Sequence, residues 1–164
     1  MRIPYANFKT LLNDTWTEVD TVSIFTDKKV VVFSVPGAYL PNTIEQVMDY
    51  DQSYSKIIDA GIAEVYCVSV NDSAVMNSWF KSIGVENIKA IGDGEGVLTQ
   101  GLGFLVSKPK QGLGLRSWRY SMLVENGEII KQFIEKGQND ASDDDDPFKV
   151  SDAKTMLNFL KNNG

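Results

Sequence analysis

The reactive side chains of this chain are few: one cysteine, Cys67, and no histidine at all. Without histidine there is no Ser–His or Cys–His nucleophile pair, and most transition-metal sites are excluded as well. A single cysteine likewise precludes an internal disulfide or a cysteine-based zinc site. Cys67 falls inside the apolar run Val65–Val70, where a free thiol packs as a small hydrophobe and burial keeps it protonated and inert. The stretch best suited to chemistry is Val30–Thr43. A β-branched run ends at Pro36-Gly37, and Pro41 suits the first turn of a helix. Such a turn presents free backbone N–H groups and the positive end of a helix dipole, which suits an anion or a polarised oxygen. Thr43 there is a cap or packing residue of the first turn, since an unactivated hydroxyl is barely ionised at neutral pH. Arg119 reads, from its residue type and place alone, as an ion-paired strand residue. Arg116 is a surface or loop residue.

Other patterns carry less. Asp143–Asp146 lacks the alternating ligands and the glycine of an EF-hand loop and reads as a solvated acidic loop. Gly92, Gly94 and Gly96 lack a phosphate-loop lysine and dinucleotide spacing, so they mark a turn. Trp118 and Tyr120 flank Arg119 in the manner of a base-stacking pair, but a net charge of −6 argues against nucleic acid.

The elements that must position these residues follow from periodicity. Thr15–Val19 and Thr21–Phe25 both alternate and read as short edge strands or extended arms. Val30–Val35, Ala63–Val70 and Ile88–Ile91 read as buried strands. A helix over Thr43–Ala60 is marked by Val47, Tyr50, Tyr54, Ile57 and Ile58 and closed by Gly61. A second, capped at Asn71-Asp72-Ser73, carries Val75, Met76, Trp79 and Phe80 to Gly84. Strand–helix–strand–helix–strand implies parallel pairing. Val97–Leu102 is a short helix and Lys108–Arg116 a glycine-rich loop. Ser117–Val124 and Glu128–Glu135 form a hairpin about Asn126-Gly127, and Ser151 caps a last helix. At 164 residues this is one domain over 1–164, an α/β mixed sheet flanked by helices. No apolar run is long enough for a membrane span, the start lacks a signal-peptide pattern, and a cytoplasmic location is expected.

Several segments carry a family resemblance. Val35-Pro36-Gly37-Ala38-Tyr39-Leu40-Pro41-Asn42-Thr43 resembles the peroxidatic loop Pro-Gly-Ala-Phe-Thr-Pro-x-Cys of the type-five, or hybrid, branch of peroxiredoxins within the redoxin family. Val68–Trp79, Arg116–Met122 and Asp146–Ala153 resemble further segments of that branch, so that the likeness spans about residues 20–160. The resemblance implies a thioredoxin fold, a homodimer, no cofactor, and thiol-dependent reduction of hydrogen peroxide and alkyl hydroperoxides. Its site falls on Pro36, Leu40, Thr43 and Arg119. There Thr43 aligns with the nucleophilic cysteine, Leu40 with a threonine that hydrogen-bonds thiolate and peroxide, and Arg119 with the arginine that polarises the peroxide. The family's His-Leu-Pro segment has no counterpart in Glu45–Asp49. What is expected is a peroxidase-inactive binding or regulatory homologue, with a small anion or polar ligand at Thr43 and Arg119. The alternatives are an enzyme that uses Cys67 or other chemistry in the pocket, and a structural dimer module.

Overall fold

The computed structural model describes residues 1–138 and 146–163. The acidic positions Asp143–Asp145 read above as loop lie outside the described residues.

Three apolar runs form the parallel strands β3 (Lys29–Ser34), β4 (Glu64–Ser69) and β5 (Lys89–Gly92). The strands β8 (Tyr120–Glu125) and β9 (Glu128–Ile134) complete a mixed sheet in the order β5-β4-β3-β8-β9, antiparallel from β3 onward. Being central, β3 is covered on both faces, which explains why its sequence is continuously apolar rather than alternating. On one face Val31, Phe33 and Cys67 meet Val47, Tyr50, Trp79 and Met156 from the helices α2 (Ile44–Gln52), α4 (Ser73–Ile83) and α6 (Ala153–Asn163). On the other, Val30, Val32 and Val68 meet Phe25, Leu98 and Phe8 from α1 (Thr21–Phe25), α5 (Val97–Gly101) and β1 (Asn7–Leu12). Val31, Val32 and Phe33 are wholly buried, and each such side chain favours folding by about 1.5–3 kcal/mol. Two small hairpins stand outside the sheet: β1 with β2 (Thr15–Asp20), and β6 (Leu105–Lys108) with β7 (Gly114–Ser117).

The parallel strands, the Asn126-Gly127 hairpin with both residues at positive φ (47° and 78°), and the Asp72 and Gly84 caps of α4 are as the sequence indicates. Four readings need correction. Thr21–Phe25 is a helical turn because Asp20 accepts the Ser23 N–H at 2.8 Å, which overrides the alternation. The helix expected over Thr43–Ala60 breaks at Ser53 into α2 and α3 (Tyr54–Asp59). Lys108–Arg116 is not loop throughout: its two ends pair as the β6–β7 hairpin. The last helix is capped by Asp152, which accepts the Thr155 N–H at 3.2 Å, because the Ser151 hydroxyl is turned instead to Glu135.

Candidate functional site

Where β3 ends, the chain turns sharply and enters α2. The Val35 N–H still pairs with the Val68 carbonyl at 3.1 Å, and the Ala38 N–H is taken by Asn71 Oδ1 at 2.9 Å. Tyr39 and Asn42 then adopt left-handed backbone conformations, with φ of 65° and 66°. Asparagine tolerates this, whereas tyrosine is strained by about 1 kcal/mol or more. The Tyr39 hydroxyl is held against Ser78 Oγ at 2.7 Å and its ring tilts onto Trp79. The double reversal brings the Thr43 hydroxyl to the Leu40 carbonyl, to which it donates at 2.7 Å. Thr43 is fully buried and sits at the helix entry, but its side chain caps no N–H of α2. The hydroxyl instead closes the turn. Pro41 precedes α2 by three residues rather than lying in its first turn.

Arg119 lies in the link between β7 and β8, 1 % exposed, and each of its three guanidinium nitrogens has a partner. Nε and Nη2 form a bidentate pair with the Asp146 carboxylate at 3.0 and 2.6 Å, and Nη1 donates to Gln46 Oε1. The Phe148 ring lies 5.5 Å from the guanidinium carbon. Of the two readings of Arg119, the structure shows the ion pair, outside the strand. Gln46 passes the connection on, its amide donating to the Ser151 carbonyl at 3.2 Å, and the Tyr50 hydroxyl donates to the same oxygen at 2.9 Å. Below them the buried Glu135 carboxylate accepts the N–H groups of Lys149, Val150 and Ser151 and the Ser151 hydroxyl, each within 2.9 Å. Arg116 is half-buried in β7, its guanidinium bonded to the Val70 and Leu113 carbonyls at 3.0 Å each.

A cavity of about 280 Å³ opens beside the loop, lined by Pro36, Leu40, Pro41, Gln111, Leu113, Lys108 and Asp146. The expected residues are therefore brought only partly together. Pro36 and Leu40 form the wall, while Thr43 and Arg119 lie behind it, Thr43 joined through the Leu40 carbonyl and Arg119 through Asp146. Cys67 is elsewhere in function though near in space. It pairs with Phe33 and Ala90 in the sheet and is completely buried. Burial pushes its thiol far above the ordinary range, and the positive charge of Arg119 offsets this only in part. Among the described residues no group of three or more His, Cys, Asp or Glu side chains could hold a metal ion. No helix among them is long and apolar enough to cross a membrane.

Two residues of this site were not read from the sequence. Gln46 had a signal: it is a polar residue one turn before Tyr50, on the buried stripe of α2. Asp146 closes a run of four aspartates and also opens the family-like segment Asp146–Ala153, a signal that marks its place in the chain but not its pairing with Arg119.

A mixed sheet with three parallel strands, helices on both faces and a loop–helix site at the end of its central strand defines the thioredoxin-like α/β class. The Redoxin family model matches residues 1–157, and the chain belongs to that family. It is 44% identical over 160 residues to the hybrid peroxiredoxin hyPrx5 of Haemophilus influenzae, covering 97% of this chain but only 64% of that protein. It is 42% identical to Peroxiredoxin sll1621 of Synechocystis, covering 98% of this chain and 89% of that one. In structure it resembles the Plasmodium falciparum antioxidant protein, a 1-Cys peroxiredoxin, with a TM-score of 0.92 at 32% identity over 99% of both chains. It also resembles reduced Prx3 of Vibrio vulnificus in complex with hydrogen peroxide, with a TM-score of 0.88 at 31% identity over 98% of this chain and 96% of that one.

Proposed function

We propose that this redoxin-family chain has no thiol-peroxidase turnover and acts as a binding or regulatory homologue. In thiol-dependent peroxide reduction a thiolate attacks one peroxide oxygen and the O–O bond breaks. The other oxygen leaves as water or alcohol with a proton, and the sulfur becomes sulfenic acid. The observation that carries the proposal is the position of the one sulfur able to do this: Cys67 lies wholly buried in β4 with its proton held by burial. Thr43, aligned by the loop resemblance with the family nucleophile, supplies an alcohol oxygen that has no such oxidation ladder. Leu40, aligned by the same resemblance with the family threonine, presents an alkyl side chain to the cavity wall. Arg119 is neutralised by Asp146 rather than left to polarise a peroxide.

The ligand of such a homologue is a small anion or polar molecule that enters the 280 Å³ cavity and replaces Asp146 on the guanidinium. The protein acts in the cytoplasm as a homodimer. The decisive experiment is consumption of hydrogen peroxide and tert-butyl hydroperoxide with dithiothreitol as reductant. The expected rate equals the protein-free control. Turnover that disappears in Cys67→Ala overturns the proposal. In the converse test, Leu40→Thr combined with Thr43→Cys restores activity if these two positions are the principal losses.

A further inference from the structure

The β1–β2 hairpin projects from the domain with one edge attached and one open. Its inner edge is fixed to α4: the Leu11 N–H donates to Ser73 Oγ at 3.0 Å, and Asn77 Nδ2 donates to the Leu11 carbonyl at 2.8 Å. The outer edge, β2, pairs with no further strand among the described residues. Residues Thr15, Trp16, Thr17 and Glu18 are exposed, so the strand is wetted on both faces. This is a β-prone segment, Thr-Trp-Thr-Glu-Val, with a free row of backbone donors and acceptors. Trp16 is 56% exposed, although tryptophan carries more apolar area than any other residue. Its side chain lines a cleft of about 570 Å³ with Leu115 (58% exposed), at the carboxyl ends of β4 and β5. The cleft wall is shaped by backbone contact: a Cβ on Gly92 would lie 2.8 Å from the Ser73 nitrogen, and one on Gly94 would lie 3.3 Å from Asp72 Cα.

The charges around this edge select its occupant. Lys9 is paired with Glu18, and the Arg116 guanidinium, bonded to the carbonyls of Val70 and Leu113, keeps its charge but is outnumbered by Asp72, Asp93 and Glu95 in the same cleft. Asp14 at the hairpin tip and Asp72 and Glu95 in the cleft face no cation within ion-pair distance among the described residues. At this edge a second copy would set the same carboxylates, Asp14, Asp72 and Glu95, against one another, so self-pairing through β2 is disfavoured and the proposed homodimer uses another face; the same carboxylates repel nucleic acid. We infer that β2 is a docking edge for an extended basic segment of another protein, which adds to it as a third strand while its side chains meet Trp16 and the cleft carboxylates. Main-chain hydrogen bonds supply the affinity, and alternate lysine or arginine side chains supply the selectivity.

The probe is an acetylated, amidated hexapeptide alternating lysine and valine, compared with its glutamate–valine counterpart. Trp79 and Trp118 are buried, so the emission change on binding reports Trp16. The lysine peptide is expected to bind at least about ten-fold more tightly than the glutamate peptide and to weaken as salt rises. Amide exchange is expected to slow within Thr15–Asp20. Trp16→Phe should bind yet lose the emission change, and Asp14→Asn with Glu95→Gln should weaken binding about three- to ten-fold with the fold intact by circular dichroism. Equal affinity for the two peptides, or protection mapping away from β2, overturns the inference. So does protection of β2 that rises with protein concentration alone, because the edge would then belong to a second copy.

Discussion

Replacing Asp146 by alanine isolates the interaction that occupies Arg119. The guanidinium is 1% exposed while the Asp146 side chain is 28% exposed, so the pair is buried on one side only. Two charge-assisted bonds at 3.0 and 2.6 Å are lost. At about 1.5–3 kcal/mol each they set a ceiling of roughly 3–6 kcal/mol. Water entering through the vacated position resolvates part of the guanidinium, which brings the expected cost down to about 2–3 kcal/mol. For a domain of this size that lowers Tm by roughly 5–10 °C. Arg119→Met is expected to cost about 1–2 kcal/mol, chiefly through Gln46 Oε1, which loses its donor in a buried place. The double variant should cost clearly less than the sum, because once the cation is gone Asp146 has nothing buried to neutralise. Urea unfolding followed by tryptophan fluorescence measures all three. Additivity within about 0.5 kcal/mol, or an Asp146→Ala cost below that, would refute the account of Arg119 as a cation satisfied from within the chain.

Three further outcomes follow from the buried groups. Cys67 should resist Ellman's reagent in the native protein up to mildly alkaline pH and react at once in denaturant; rapid native labelling would contradict its place in β4. Burial also raises Tyr50 and Tyr120 far above their ordinary range. All three groups keep their protons when folded, whereas the unfolded chain releases them above about 8.5 for the thiol and 10 for the phenols. Stability is therefore complete below those values. It should fall as pH rises through them, by about 1.4 kcal/mol per pH unit per group, with Cys67→Ala removing the slope nearest 9. Urea midpoints that stay flat or rise between pH 8 and pH 11 would refute it. Finally, Gly92→Ala drives a methyl to 2.8 Å from a backbone nitrogen of α4 and should destabilise by about 1–3 kcal/mol, again read by urea unfolding.

The sheet was legible because its signals are local and repeated. Val30–Val35 and Ala63–Val70 are long enough that no competing pattern fits, and Asn126-Gly127 dictates one turn. Failures came where a single polar contact outvotes a pattern. Asp20 converts the alternating Thr21–Phe25 into a helical turn. Ser151 gives up its capping role because Glu135, sixteen residues earlier, takes its hydroxyl. Within the site, the loop and its turn could be read, but its electrostatics could not. Whether Arg119 is open or paired depends on Asp146 and Gln46, separated from it by 27 and 73 residues, and no spacing rule connects them.

The polar joint formed by Gln46, Tyr50, Glu135 and Ser151 has a bearing on synthesis. Gln46 and Tyr50 both point at a carbonyl more than a hundred positions downstream, and Glu135 waits for three amides that follow it. While the chain emerges from a ribosome, Tyr50 waits for the Ser151 carbonyl, and Gln46 waits first for Arg119 and then for the same carbonyl. The half containing β3, β4 and α2 can collapse early, but it must stay hydrated at this seam until residues 149–160 arrive. The final helix, whose Ala153, Met156 and Leu160 enter the core, thus covers a seam whose polar partners all come late in the chain.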